Sequence, residues 1–197
     1  MRKILLAVAI FASATAANAQ ASFGVKGGLN LANLKSKFDG ETESGDMKVG
    51  FNLGAFATVP LSATFNFKPE LVVSTEGSKE EFMGEDVKSN LTFINVPVLL
   101  QYNASGFVAE TGPQVGFLMS AKAKYDGESE DIKEGFETIN LSWAVGLGYQ
   151  MPSGFGVNAR YNLGLSNLAK DSDDYKLKSN VIQIGISYTF GGGSARK

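Results

Sequence analysis

Cysteine and histidine are both absent from this 197-residue chain. Without cysteine there are no disulfide staples, no thiolate nucleophile and no thiolate metal site. Without histidine the commonest general base and metal ligand is missing too. Charge of either sign shows no excess, with 18 Lys and Arg against 20 Asp and Glu, so nothing in the balance suggests nucleic acid. Long hydrophobic runs are scarce. Beyond the first twenty residues none approaches the ~20 apolar residues of a membrane helix, so any span has to be built from strands.

The first twenty residues, MRKILLAVAIFASATAANAQ, carry Arg2 and Lys3, an apolar run from Ile4 to Phe11 and the A-x-A site Ala17-Asn18-Ala19. They read as a secretory signal peptide over 1–19. Cleavage after Ala19 leaves a chain from Gln20 with 16 basic residues against 20 acidic ones, a net charge of −4.

What is present in abundance is a two-residue period. In VIQIGISYTF, residues 181–190, Ile182, Ile184, Ile186, Tyr188 and Phe190 alternate with Gln183, Gly185, Ser187 and Thr189. The same alternation predicts strands near 22–31, 47–59, 64–75, 90–102, 106–121, 138–151, 155–167 and 179–190. Three connections are tight turns, at Pro60-Leu61-Ser62-Ala63, Asn103-Ala104-Ser105-Gly106 and Pro152-Ser153-Gly154. Four are long polar loops, near 32–46, 76–89, 122–137 and 168–178. Short and long connections alternate, as on the two rims of an up-and-down outer-membrane barrel.

The charges decide which way the oily face points. Of the 20 acidic residues, 18 fall in the four loops: Asp39, Glu41, Glu43 and Asp46; Glu76, Glu80, Glu81, Glu85 and Asp86; Asp126, Glu128, Glu130, Asp131, Glu134 and Glu137; Asp171, Asp173 and Asp174. Only Glu70 and Glu110 remain for the strands. They share the polar face with Lys26, Lys68 and Arg160, among Gly146, Gly148, Asn158, Asn162, Gly164 and Gly185, while the face bearing Phe51, Leu53, Ile94, Val96, Trp143 and Val145 carries no charge. Small residues with a few pairable ions suit the filled interior of an eight-stranded barrel. The oily face therefore turns outward to lipid, and Lys26, Lys68, Glu70, Glu110 and Arg160 are expected to form a polar network in the lumen. A soluble lipocalin-like barrel has the same period, but it would bring Ile184, Val145 and Val96 together on a central axis.

Aromatic residues gather at one end of the strands. Phe23, Phe65, Phe67, Tyr102, Phe107, Tyr149, Phe155, Tyr188 and Phe190 all fall beside the chain termini or the tight turns, as an interfacial girdle on the periplasmic rim would. Phe51, Phe117, Trp143 and Tyr161 make a sparser set at the other rim.

The segments NVPVLLQY (95–102), GPQVGFLMSAK (112–122), GFGVNARYNLGLSNL (154–168) and QIGISYTF (183–190) resemble the PorT-like, "porin family" group of outer-membrane β-barrel domains of Gram-negative bacteria. The likeness runs from about Ser22 to Phe190. It implies an eight-stranded antiparallel up-and-down transmembrane β-barrel over 20–190, located in the outer membrane and preceded by a cleavable signal peptide. Some relatives are implicated in assembling a protein-secretion system. The motifs are structural, so no functional residue is carried over. The segment 191–197, GGGSARK, departs from barrels that end at an aromatic residue and reads as a C-terminal tail.

No residue pattern points to an enzyme, a cofactor or a metal. A carboxylate mechanism would have to use Glu70 and Glu110, for which an ion network with Lys26, Lys68 and Arg160 is the simpler role. The acidic stretches DGESED (126–131) and DSDD (171–174) lack EF-hand ligand spacing and read as solvated loops. VKGGLN (25–30) lacks any phosphate-loop spacing, and its glycines read as lumen-facing packing positions. The leading expectation is a small, monomeric, non-enzymatic barrel in outer-membrane lipid, with a structural or surface-interaction role through long acidic extracellular loops that could meet an extracellular or envelope protein. The alternatives are a narrow channel for small solutes and an accessory of protein secretion or envelope assembly.

Overall fold

A computed structural model describes residues 21–38, 41–82, 85–125, 128–170 and 175–190. The expected signal peptide (1–19), the tail (191–197), the DSDD stretch and the first two residues of DGESED lie outside the described residues. Among the described residues ten strands form one antiparallel sheet: β1 (Ser22–Phe38), β2 (Glu41–Ser44), β3 (Asp46–Pro60), β4 (Phe65–Phe82), β5 (Glu85–Ala104), β6 (Phe107–Tyr125), β7 (Glu128–Asp131), β8 (Ile139–Gln150), β9 (Phe155–Gly164) and β10 (Tyr175–Thr189). β2 and β7 are four-residue strands that pair only with β1 and β6. The other eight make the wall, in the order β1-β3-β4-β5-β6-β8-β9-β10. β10 returns to β1 in a continuous ladder from Gly24↔Thr189 to Phe38↔Tyr175, which closes the barrel. Closure gives each of the eight wall strands a neighbour on both sides, as lipid requires.

The oily face is outside. Ile184 and Val145 are 56% and 53% exposed, and Leu29, Leu53, Leu141 and Leu147 stand beside them on the outer surface. On β8 the outward row runs from Ile139 to Tyr149. Ten steps at about 3.3 Å, tilted by ~40°, give a band about 25 Å tall, the height of an outer-membrane barrel's apolar belt. The tight turns fall where expected, with Ser105, Gly106 and Gly154 supplying positive φ of 53°, 88° and 92°.

The structure corrects the loops. β4 and β5 stay paired to Phe82↔Glu85, so the connection expected over 76–89 is almost entirely strand. β1 runs on to Phe38 with β2 folded against it, β6 runs on to Tyr125 with β7 against it, and β10 starts at Tyr175. Above the apolar belt the outer face of a strand meets water, so the ladder continues after the apolar alternation that betrays it has stopped. The glycines of VKGGLN also divide. Gly28 is packed so closely that a Cβ would lie 2.3 Å from the Ile184 carbonyl oxygen, whereas Gly27, the preceding residue, falls on the outer face beside Leu53. Consecutive strand residues cannot both face inward.

Candidate functional site

The lumen is filled in layers. Nearest the tight turns, Lys26 from β1, Lys68 and Glu70 from β4, Glu110 from β6 and Arg160 from β9 come together, all of them buried. β4 and β9 lie on opposite sides of the wall, and Arg160 spans the lumen to meet Glu70 with both arms of its fork: Nη1 to Oε2 at 2.7 Å and Nη2 to Oε1 at 2.8 Å. Its Nε donates to Glu110 Oε1 at 2.9 Å, and its Nη2 donates to the same oxygen. Lys26 bonds Glu70 at 3.2 Å, and Lys68 bridges Glu70 at 3.4 Å and Glu110 at 3.2 Å.

Gly146 makes part of this possible. Arg160 and Glu110 face each other across β8, where Gly146 stands between them in register; a Cβ there would lie 3.0 Å from Glu110 Oε1. Lys68 Nζ also lies 4.6 Å from the centre of the Phe56 ring, which points into the lumen from β3. Below them the barrel mouth holds a cavity of about 260 Å³, whose lining includes Phe56, Lys68, Asn66, Gln101 and Val108. Both carboxylates are held between cations by charge-assisted bonds, so neither is placed to take a proton from a substrate.

The middle layer holds an acid that the sequence reading missed. Glu76, assigned above to a loop, points into the lumen and is 3% exposed. Its carboxylate accepts from Ser179 Oγ at 2.8 Å, Ser74 Oγ at 3.1 Å and Asn95 Nδ2 at 3.3 Å. Ser179 reaches it from β10, across the lumen. Lys48 donates to the backbone carbonyl of the same residue at 3.1 Å. Beside it, Asn52 donates to Asn30 Oδ1 at 2.7 Å, and Asn30 Nδ2 meets Ser74 Oγ at 2.8 Å and the carbonyls of Phe51 and Thr75 at 3.0 and 2.9 Å. The signal for Glu76 is parity: it stands six residues after Glu70, hence on the same face of one strand.

The upper layer is apolar, against the expectation of a lumen filled with small polar groups. Leu34 from β1, Leu91 and Phe93 from β5, and Leu118 and Ala121 from β6 form a single buried cluster with Leu168, from the segment after β9. β1 and β6 face each other across the barrel, so this cluster closes the lumen. Ile132, Phe136 and Leu177 pack against it. The segment bearing Leu168 is tied down by backbone bonds from Leu168 N to Leu177 O at 2.7 Å, Glu137 N to Leu168 O at 2.9 Å and Lys170 N to Gly135 O at 3.1 Å.

The nine aromatic residues singled out at the tight-turn rim lie on the outer face, Phe23, Phe107, Tyr149, Phe155 and Phe190 among the more exposed. Phe65 contacts Tyr102 at 5.3 Å between ring centres, Phe155 contacts Tyr188 at 4.9 Å, and Tyr188 contacts Phe190 at 5.6 Å. Among the described residues no group of three or more acidic side chains is placed to hold a metal ion.

None of the curated proteins compared with the chain matches it. Among solved structures, Neisserial surface protein A superposes with a TM-score of 0.55 at 15% identity, over 87% of this chain and all of that one. The attachment invasion locus protein Ail of Yersinia pestis is 19% identical with a TM-score of 0.48, again over 87% of this chain and all of that one. OprG of Pseudomonas aeruginosa is 16% identical with a TM-score of 0.45, over 86% of this chain and 95% of that one. The first shares the fold. The family model described as "Outer membrane protein beta-barrel domain" matches residues 11–170 of the 197, so this closed eight-stranded barrel belongs to that family and resides in the outer membrane.

Proposed function

We propose that this protein is a non-enzymatic outer-membrane barrel whose role is structural or interactive, carried by the long hairpins on the extracellular rim. The observation that carries this reading is the apolar cluster of Leu34, Leu91, Phe93, Leu118 and Leu168 above the Arg160 ion network: together they fill the cross-section twice over. A solute would have to break a bidentate ion pair and then displace a packed hydrophobic layer. The rigid wall is left as a scaffold for exposed hairpin ends, where binding usually resides. The mature chain then starts at Gln20, with 191–197 as a tail, and the PorT-like group is the finer family assignment.

The test is a planar-bilayer recording of the purified protein alongside a pull-down from native envelopes. Silence in the bilayer, with partner binding lost on replacing 126–137 by a short Gly-Ser turn while the unboiled gel mobility of the barrel persists, is the expected result. Steady open current would overturn it. A narrow channel is the second reading, favoured by the 260 Å³ mouth that reaches Lys68 from the tight-turn side; it predicts current that changes with Arg160 or Glu110 substitution. A fixed envelope-machine subunit in the pull-down would assign the accessory role that the family resemblance implies.

A further inference from the structure

Between the Arg160 network and the apolar layer, the inward positions of β6 are Gly112, Gln114 and Gly116. Opposite them on β8 stand Ala144, Ser142 and Asn140, and Ala144 in turn faces Asn162 on β9. On the other side of β6, Gly116 faces Asn95 of β5. Asn162, Ser142, Gln114 and Asn95 thus step along the inside of four neighbouring strands, each of them 4% exposed or less. The stair ends at Glu76, whose carboxylate accepts from Asn95 Nδ2.

These side chains are polar without being fully paired. Both amide atoms of Asn162, the Ser142 hydroxyl and Asn95 Oδ1 are buried with no hydrogen-bond partner among the described residues. Exchanging the oxygen and nitrogen of Asn162 mends nothing, because both are unpaired. Exchanging those of Asn95 would turn its oxygen onto the Glu76 carboxylate. On its own rung Asn162 has only Ala144 and Val181 beside it. Opposite Asn95 a Cβ on Gly116 would lie 2.4 Å from Oδ1, so glycine is what admits that oxygen. The strand ends that lead to residues outside the described ones lie beyond the apolar cluster at one rim and beyond the ion network at the other, which walls these atoms off from both.

A buried amide or hydroxyl left unpaired is costly, so a ligand has to supply what the chain does not. Asn162 dictates its chemistry. The N–H groups need an acceptor and the carbonyl needs a donor. A cation would serve only the oxygen and an anion only the nitrogen, whereas water serves both. Size agrees. Side chains directly opposite on neighbouring strands, as Ser142 and Gln114 are, stand about 5 Å apart at Cβ, and one water with two bonds of ~2.8 Å spans such a gap. Successive members of the stair give each such water at least two polar partners, the condition for a buried site to be wet.

We propose that the middle layer of the lumen binds a file of ordered water molecules, running from Asn162 past Ser142 and Gln114 to Asn95 and Glu76 and enclosed between the ion network and the apolar cluster. The apolar cluster is then the seal of a wet lumen. The test uses the full-length protein, isotope-labelled and folded in detergent micelles, with water itself as the probe. Nuclear Overhauser transfer from water should reach the side-chain amide protons of Asn162 and Asn95, with the sign that marks long-lived water and separates it from chemical exchange. It should be absent at the methyl groups of Ile184 and Val145 on the outer face. Magnetic relaxation dispersion counts the long-lived waters: Asn162→Leu/Ser142→Ala should lower the count, and Lys133→Ala on the rim should leave it unchanged. Leu168→Ala, which thins the seal, should shorten the residence time at least tenfold. Should a variant lose the unboiled gel mobility of the folded barrel, the wild-type transfer decides.

No transfer from water at Asn162, or an unchanged count in a folded Asn162→Leu/Ser142→Ala variant, overturns the proposal. So does transfer from a carbon-bound proton that belongs to neither protein nor detergent, since an organic solute would then occupy the layer. Wild-type waters that already exchange as fast as those of Leu168→Ala would sink the enclosure. That outcome is separate from the bilayer recording, because water exchange needs no ion current.

Discussion

The two halves of the lumen are filled by opposite means. Toward the tight turns, three cations and two carboxylates interlock through directed bonds, with Arg160 in contact with both acids. Toward the long hairpins, aliphatic and aromatic side chains fill the same cross-section by volume. Both seal the barrel, but they tolerate change differently. A buried ion network depends on fork geometry and leaves bare charges when one member goes, whereas an apolar layer depends on volume and loses contacts in proportion to what is removed.

The largest effect is expected from Arg160→Met, which strands Glu70 and Glu110 without their main partner. Unfolding by urea in lipid vesicles, followed by the fluorescence of Trp143, the single tryptophan, should show a loss of about 3–5 kcal/mol. Adding Glu110→Gln should restore part of it; a loss under about 1 kcal/mol would mean that water, rather than Arg160, compensates the acids.

Next comes Leu168→Ala, the corresponding removal in the apolar half, for which about 3 kcal/mol is expected from transfer and cavity terms together. Limited proteolysis should show the segment after β9 becoming susceptible first, because Leu168 holds it onto the barrel.

The sharpest contrast comes from conservative swaps. Arg160→Lys keeps the charge but loses the fork, and should cost about 2 kcal/mol. Leu118→Met keeps the volume and should cost less than about 1.5 kcal/mol. Equal costs for the two would erase the distinction between directed and volumetric filling. The smallest change is expected from Lys133→Ala on the exposed rim, within about 0.5 kcal/mol in the same assay; its ammonium donates to the Met119 carbonyl at 3.0 Å in water.

Much of this was legible before the fold was known. Two-residue alternation placed all eight wall strands, and parity put Lys26, Lys68, Glu70, Glu110 and Arg160 on one face. What parity could not supply is height and partner. Glu76 shares the face of Glu70 but stands where the apolar alternation on the outer side is ending, so it read as loop. Leu34, Leu91 and Leu118 also sit at inward parity, yet only the register shows that they meet across the lumen. Lys35 and Lys178 are likewise far apart in sequence and adjacent only through the β1–β10 closure.

A period of two, few charges on one face and acids gathered where the apolar alternation stops are properties of the chain itself, and they determine a barrel with its grease outward because lipid accepts no other arrangement of these residues. Which ion meets which and which leucines stop the lumen depend on the stagger of strands around a closed wall. That stagger is a single quantity shared by all the strands at once, and no local stretch of sequence contains it.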